Sequence, residues 1–297
     1  MAGGGPRHHD QWCHQPEEDA IWRCIEMTST TTGLWKQHSG NPVENYERFF
    51  VPTIGTAWAS ALLDAADLRV GERVLDIACG TGVVARRAAE QVGPSGSVAG
   101  LDLSPGMLEI ARANTAEIDW HEGDAAALPL PDGAFDVVVS SLGLQFVEDK
   151  QSALREMHRV LAPGGRVAIA TVGPTPPLFA VLEQALARHV SPEVAGFMRA
   201  VFSLYDPEQL QTLATDAGFD DIDVRSKVLT VTLPAPAEFL WQYVHSTPLV
   251  AAIAPLDDAK LAALEHDVVA GWQSFVRSAE LVFDGNTVLT TARRRKG

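Results

Sequence analysis

A chain of 297 residues, 46% hydrophobic and 21% charged, carries enough apolar side chains for one large α/β domain or one domain with an elaborated lid. Its formal net charge of −15 repels polyanions, which excludes nucleic acid as the expected partner. Cys13, Cys24 and Cys79 are too few and too irregularly spaced for a disulfide framework, and Pro, Gly or charge breaks every apolar stretch short of the ~20 residues of a membrane span, so a soluble cytoplasmic protein is expected.

Residues 1–33 mix Gly, Pro, Thr and charge without a sustained period and are expected to be a disordered tail, with Met27 as an alternative start. His8, His9, Cys13 and His14 lack the second, correctly spaced pair of a structural zinc site, and no metal is expected. Order begins at Asn41-Pro42-Val43-Glu44, where Asn at N-cap, Pro at N1 and Glu at N3 start a helix that Pro52 is expected to end. A second helix follows, with Ile54, Trp58, Leu62 and Ala65 on one face. Strand and helix patterns then alternate: RVLDIA, VVARRAAEQV, SVAGLDL, a helix opened by Ser104-Pro105, IDWHEG, FDVVVSS, and a helix from about Ala153 to Leu161 ended by Pro163-Gly164-Gly165 before RVAIAT. Asp206-Pro207 opens another helix, Gly218 closes it, and IDVRSKVLTVTL is a strand; the last strand, TVLTTAR, is expected after a turn at Asp284-Gly285-Asn286. Arg293, Arg294, Arg295 and Lys296 read as a solvated tail. Residues 174–205 and 234–283 fall outside the alternation and read as mainly helical cover segments of one domain spanning residues 34–297.

The sharpest motif is VLDIACGTG, residues 74–82, a buried-type strand with an acid near its end and then Gly80-x-Gly82 before a helix. Gly80-Thr81-Gly82-Val83-Val84-Ala85 also fits a dinucleotide fingerprint with Asp102 beyond it, so spacing leaves NAD and S-adenosylmethionine both open. Asp76 separates them: beside the glycine turn a carboxylate repels a pyrophosphate and attracts a ligand with ammonium and sulfonium charges. Asp102, closing the second strand, has two oxygens for the vicinal hydroxyls of a ribose. Asp124, after the third strand, is placed to accept from an adenine amino group or to form an Asx-turn.

In order, VLDIACGTG, GLDLSPGMLEIAR, EGDAAALPLPDGAFDVVVSSLGLQFVED and LREMHRVLAPGGRVAIAT resemble the class I methyltransferases related to the ubiquinone/menaquinone C-methyltransferases, over residues 41–172. The resemblance implies a Rossmann-like α/β fold: a seven-stranded, mostly parallel sheet flanked by helices, with the last strand antiparallel and a helical substrate cover. It implies S-adenosylmethionine as cofactor and S-adenosylhomocysteine as product. By position it assigns Asp76, Ala78, Gly80 and Gly82 to the methionine moiety, Asp102 and Leu103 to the ribose, and Asp124 and Ala125 to the adenine. Ser140 falls at the methionine end, Ser141 and Gln145 toward the acceptor, and Tyr46 of the lead-in helix over the cofactor. Members nearer the quinone enzymes carry His in the segment held here by Leu144 to Val147; its absence argues against a quinone precursor.

The cover segments concentrate aromatics, and Phe202, Tyr205 and Trp241 are the candidate acceptor-binding residues for a small aromatic or lipid-like molecule. Where the acceptor needs a base, His245 is the first candidate, before Tyr205 and His38. The alternatives are an NAD-dependent oxidoreductase and a non-catalytic S-adenosylmethionine-binding protein.

Overall fold

The computed structural model describes residues 40–296. The readings placed on residues 1–33, on Met27, on the His8 to His14 cluster and on His38 lie outside the described residues.

The first helix, α1 (Pro42–Ala66), starts where its capping residues require: the Asn41 side chain accepts from the Val43 amide, with Pro42 in the first turn. Pro52 does not end it. Over Tyr46–Gly55 the hydrogen bonding is π-helical. A widened turn tolerates the missing proline N–H and relieves the ring's clash with the preceding carbonyl, so the chain runs on as helix. The continuous helix therefore reaches the length and apolarity of a membrane span, which the broken sequence pattern did not suggest. Trp58, Ala59, Leu62, Leu63 and Ala66 are buried, and this half of the helix packs on the sheet.

Among the described residues eight strands form one sheet: β1 (Arg73–Ile77), β2 (Ser97–Asp102), β3 (Asp119–Glu122), β4 (Phe135–Ser141), β5 (Leu161–Val172), β6 (Asp220–Leu233), β7 (Val276–Arg277) and β8 (Glu280–Arg293). The spatial order is β3-β2-β1-β4-β5-β8-β6, with β7 a two-residue addition paired to β8. β1 to β5 pair in parallel, and β8 runs antiparallel to both neighbours. Strand order reverses at β1 and β4, so the carboxyl ends of these two strands and of β2 open the crevice where doubly wound sheets take their ligands.

Both faces of the parallel core are covered, and successive residues choose opposite sides. Val137 and Val139 join a cluster with Trp58, Leu62, Val84 and Ala88, packed by α1 and α2 (Val83–Val92). Val138 joins Leu75, Met157, Leu161 and Leu210 beneath α4 (Lys150–Val160) and α7 (Pro207–Asp216). Between β2 and β3 lies α3 (Pro105–Asn114), capped by Ser104, whose hydroxyl accepts from the Met107 amide.

Two turn expectations and one tail expectation fail for packing reasons. Pro163-Gly164-Gly165 lies inside β5, where the Gly164 amide donates to the Arg294 carbonyl and the Arg294 amide to Gly165. Asp284-Gly285-Asn286 lies inside β8, paired with Thr230, Leu229 and Val228; a Cβ on Gly285 would come within 2.9 Å of the Trp58 ring, so glycine serves a close approach there and not a turn. The C-terminal basic run is docked: the Arg294 guanidinium donates to the carbonyls of His158, Arg159 and Leu161 at the end of α4, and Arg295 pairs with Asp220.

The region after β5 carries α5 (Pro177–His189) and α6 (Pro192–Val201); the region after β6 carries α8 (Pro236–His245), α9 (Leu249–Ile253) and α10 (Asp258–Trp272). Phe179, Phe239 and Trp272 belong to the same apolar cluster as Trp58 and Val139, so these helices extend the core of the sheet. The buried Trp272 indole donates to the Leu178 carbonyl at 2.7 Å, pinning α10 to α5.

Candidate functional site

The turn after β1 is held in conformations that side chains resist. Ala78, Gly80 and Gly82 have φ of +54°, +54° and +89°. For Ala78 this is the left-handed region. Room for its methyl exists because Gly143 faces it: a Cβ at 143 would lie 2.4 Å from that of Ala78. Asp102, at the end of β2, straps the loop by accepting from the Gly80 amide at 2.7 Å and the Ser104 amide at 2.9 Å. Gly82 and Gly100 both lie under Trp120; Cβ atoms there would sit 2.5 and 2.3 Å from its ring.

Asp76 is 1% exposed. One oxygen accepts from the Ala85 amide at 3.0 Å, while Oδ1 is buried with no hydrogen-bond partner among the described residues. Thr81 Oγ1, Ser140 Oγ and Gln145 Oε1 are buried and unpartnered in the same way. The Gln145 Nε2 donates to the Leu142 carbonyl at 3.0 Å, which fixes the amide and leaves its buried oxygen as an acceptor. Burial pushes the Asp76 carboxyl well above the usual carboxylate range, and the charge of Asp102 adds to it; burial also raises Asp102 against the lowering by its backbone hydrogen bonds. Among the described residues no cationic side chain offsets either carboxyl. Buried polar atoms without partners are costly, and an acidic set without a counter-charge fits a polar, cationic ligand far better than a pyrophosphate.

The lead-in helix closes over this turn. The Tyr46 ring comes within 3.8 Å of where a Cβ on Gly80 would be, and it stacks on Phe50 at 4.7 Å. Burial and the charges of Asp102, Glu47 and Asp76 push its phenol far above the ordinary value, so it remains protonated. The next residue, Glu47, accepts from Arg86 at 2.8 Å, and Arg86 also donates to the Thr81 carbonyl at 2.6 Å, clamping α1 to the glycine turn.

From here the contacts close a ring. Phe50 faces Tyr243 of α8 (6.5 Å); the Tyr243 hydroxyl reaches Met198 Sδ of α6; neighbouring Phe197 stacks on Phe146 (6.5 Å); the Phe146 amide donates to the Gly143 carbonyl; and Gly143 meets Ala78. The ring leaves the glycine turn at Gly80 and returns to it at Ala78.

Of the residues singled out in the sequence, Asp76, Ala78, Gly80, Gly82, Asp102, Ser140, Gln145 and Tyr46 surround this turn or the adjacent end of β4. Ser141 is half-buried, closing β4. Leu103 is 69% exposed beside Asp102. Asp124 is exposed and forms an Asx-turn with the Ala126 amide at 2.8 Å, while Ala125 is buried. Trp241 packs edge-on to Phe49 and stacks on His245 (4.8 Å), whose Nδ1 lies 3.0 Å from the Trp241 carbonyl. Phe202 packs against Phe179 (5.5 Å) in the shared core, and Tyr205 is 40% exposed on the loop beyond α6. The sequence reading missed Glu47, Arg86, Trp120 and Thr81: the first three act only through partners distant in the chain, and Thr81 sat unremarked inside the glycine motif. Among the described residues no group of His, Cys, Asp and Glu is arranged to hold a metal.

Residues 74–165 match the family described as "Methyltransferase domain". Over 184 residues, covering 57% of this chain and 76% of the relative, it is 37% identical to demethylmenaquinone methyltransferase of Staphylococcus epidermidis, and over the same coverage 34% identical to that of Staphylococcus aureus. The chain belongs to the class I S-adenosylmethionine-dependent methyltransferases. Among solved structures, a phosphoethanolamine N-methyltransferase of Haemonchus contortus shares the fold at TM-score 0.55 and 23% identity; the alignment covers 85% of this chain and 57% of that one. The unpartnered Asp76 oxygen and uncompensated acids suit the family's cofactor, S-adenosylmethionine, and the NAD-dependent reading falls. In this methyltransferase the fold is as expected from the sequence, a mostly parallel Rossmann-like sheet with an antiparallel closing strand, with one short strand more than the seven expected.

Proposed function

We propose that this methyltransferase methylates a small, flat, apolar acceptor of aromatic or lipid-like character. The observation that carries the reading is the ring Tyr46, Phe50, Tyr243, Met198, Phe197 and Phe146, which begins and ends at the glycine turn and is built almost wholly from aromatic and thioether side chains. An apolar enclosure excludes water and favours ring systems with few polar atoms. The relatives' name, demethylmenaquinone methyltransferase, brings a quinone-like ring into the same class, in spite of the missing His between Leu144 and Val147.

When bound, S-adenosylmethionine supplies an electrophilic methyl on a sulfonium. Asp76, with its free oxygen, pairs with the positive methionine end, Ala78, Gly80 and Gly82 let the backbone come close, and Ser140 takes a polar contact there. Asp102 and Leu103 serve the ribose, Asp124 and Ala125 the adenine, and Tyr46 lies across the turn. Gln145, its oxygen fixed as an acceptor, and Ser141 face the methyl-receiving molecule with Trp241. Holding donor and acceptor in line accounts for about 7–11 kcal/mol of barrier reduction. His245, turned by its Nδ1 contact to the Trp241 carbonyl, is the proton acceptor for substrates that need one. Catalysis in the cytoplasm on a small molecule completes the proposal.

Titration calorimetry with S-adenosylmethionine, S-adenosylhomocysteine and NAD, followed by a methyl-release assay over naphthols, phenols, amines and fatty acids, tests it. Turnover confined to aromatic or lipid-like compounds, with Trp241→Ala raising KM at unchanged cofactor affinity, is the expected result. Cofactor binding without turnover on any of the aromatic or lipid-like compounds would overturn the proposed acceptor class.

A further inference from the structure

Tyr243 is fully enclosed, its ring set among Phe50, Phe179 and Phe239 at 6.5, 5.2 and 5.7 Å. A buried tyrosine ordinarily finds an oxygen or nitrogen partner for its hydroxyl. Here the hydroxyl meets only Met198 Sδ, at 4.0 Å, among the described residues. A thioether is a weak acceptor at the outer limit of hydrogen bonding. Phenylalanine would fill the same volume without burying an underused donor. The hydroxyl end also faces the helix that carries Phe197, whose ring stacks on Phe146 just beyond the end of β4.

We infer that Tyr243 is a positioning residue for the acceptor: its hydroxyl donates a hydrogen bond to an oxygen on the aromatic molecule that receives the methyl group, and thereby selects oxygen-bearing rings over plain hydrocarbons. The inference rests on the aromatic-acceptor reading above. The geometry leaves the hydroxyl one consistent role. Among the described residues no carboxylate or cation contributes to its environment, and burial holds the phenol far above its ordinary pKa, so it stays a donor and does not serve as a base. The partner it lacks is a carbonyl, ether or phenolic oxygen. Gln145 Oε1, beyond the end of β4, is a buried acceptor with no donor among the described residues.

The test titrates the full chain, loaded with S-adenosylhomocysteine, with 1-methoxynaphthalene and with naphthalene. The methoxy compound offers an acceptor oxygen and no donor. It is expected to bind wild type about tenfold tighter than naphthalene, the worth of one neutral hydrogen bond. In Tyr243→Phe that preference disappears, while naphthalene binding, S-adenosylhomocysteine affinity and Tm are unchanged. Met198→Leu removes the sulfur but keeps the hydroxyl, and it retains the preference. A preference absent from wild type, surviving in Tyr243→Phe or lost in Met198→Leu overturns the donor role, and binding of both naphthalenes then leaves the aromatic-acceptor reading intact. If neither compound binds wild type, the aromatic-acceptor reading fails and the inference with it.

Discussion

The strand-end half of the site and the helical half reach order by different routes. Around the glycine turn, positions are set by short-range backbone chemistry: positive φ at Ala78, Gly80 and Gly82, and Asp102 accepting from the Gly80 and Ser104 amides. Across the helices, positions are set by contacts between residues far apart in sequence, as where Phe179 touches Phe202, Phe239, Tyr243 and Phe283 together. A change in the first region should therefore cost ligand binding before stability, and a change in the second stability before cofactor binding.

The largest effect is expected in the helical half. Phe179→Ala removes the ring on which four others converge and should destabilise the fold by ~3–5 kcal/mol in denaturant titrations. Folded protein should still bind S-adenosylmethionine; loss of that binding at little stability cost would erase the contrast between the halves. Asp102→Ala is the complementary case, weakening S-adenosylmethionine binding by ~2–4 kcal/mol by calorimetry with the melt nearly unmoved. Near-normal affinity would remove Asp102 from the ribose site.

Gly100→Ala sharpens the comparison, because it lies beside the turn yet acts by packing. Its Cβ would meet the Trp120 ring at 2.3 Å, and ~1–3 kcal/mol of stability should be lost. The shorter side chain of Trp120→Leu should recover part of that loss, and no recovery would mean the strain lies elsewhere.

The smallest effect concerns Asp267, where Arg188, His189 and His266 gather on one carboxylate and tie α10 to α5. Hydrogen bonds from His189, Arg188 and His266, in that order, hold its pKa down at about 2, from an ordinary 3.8. A lowered carboxylate pKa stabilises the fold above the unfolded value and loses that contribution as pH falls from near 4 through 2. Acid melts of wild type and Asp267→Asn should differ slightly at neutral pH and converge near pH 2. Constant separation across that range would remove the carboxylate from the linkage.

Much of the strand-end half was legible because its signals are local. Asn41-Pro42 and Ser104-Pro105 start helices as written, since a capping side chain needs only the amides two or three residues ahead. The glycine motif and its acids are equally local in strand and turn. Pro52, Pro163-Gly164-Gly165 and Asp284-Gly285-Asn286 misled because proline and glycine have more than one use: π-helical hydrogen bonding carried the first through a helix, and neighbouring strands drew the other two into the sheet.

By itself, then, the sequence determined the alternation of strands and helices, the acidic glycine turn and the nature of the cofactor, because periodicity, capping and backbone permissiveness act within a few residues. Tertiary structure decided which aromatics form core and which rim the turn, that Glu47 clamps Arg86, that Arg294 caps α4, and that the Tyr243 hydroxyl meets a thioether instead of an oxygen among the described residues. Each of these depends on which distant side chains meet once the helices dock on the sheet, and burial of apolar surface, which drives that docking, carries no direction along the chain.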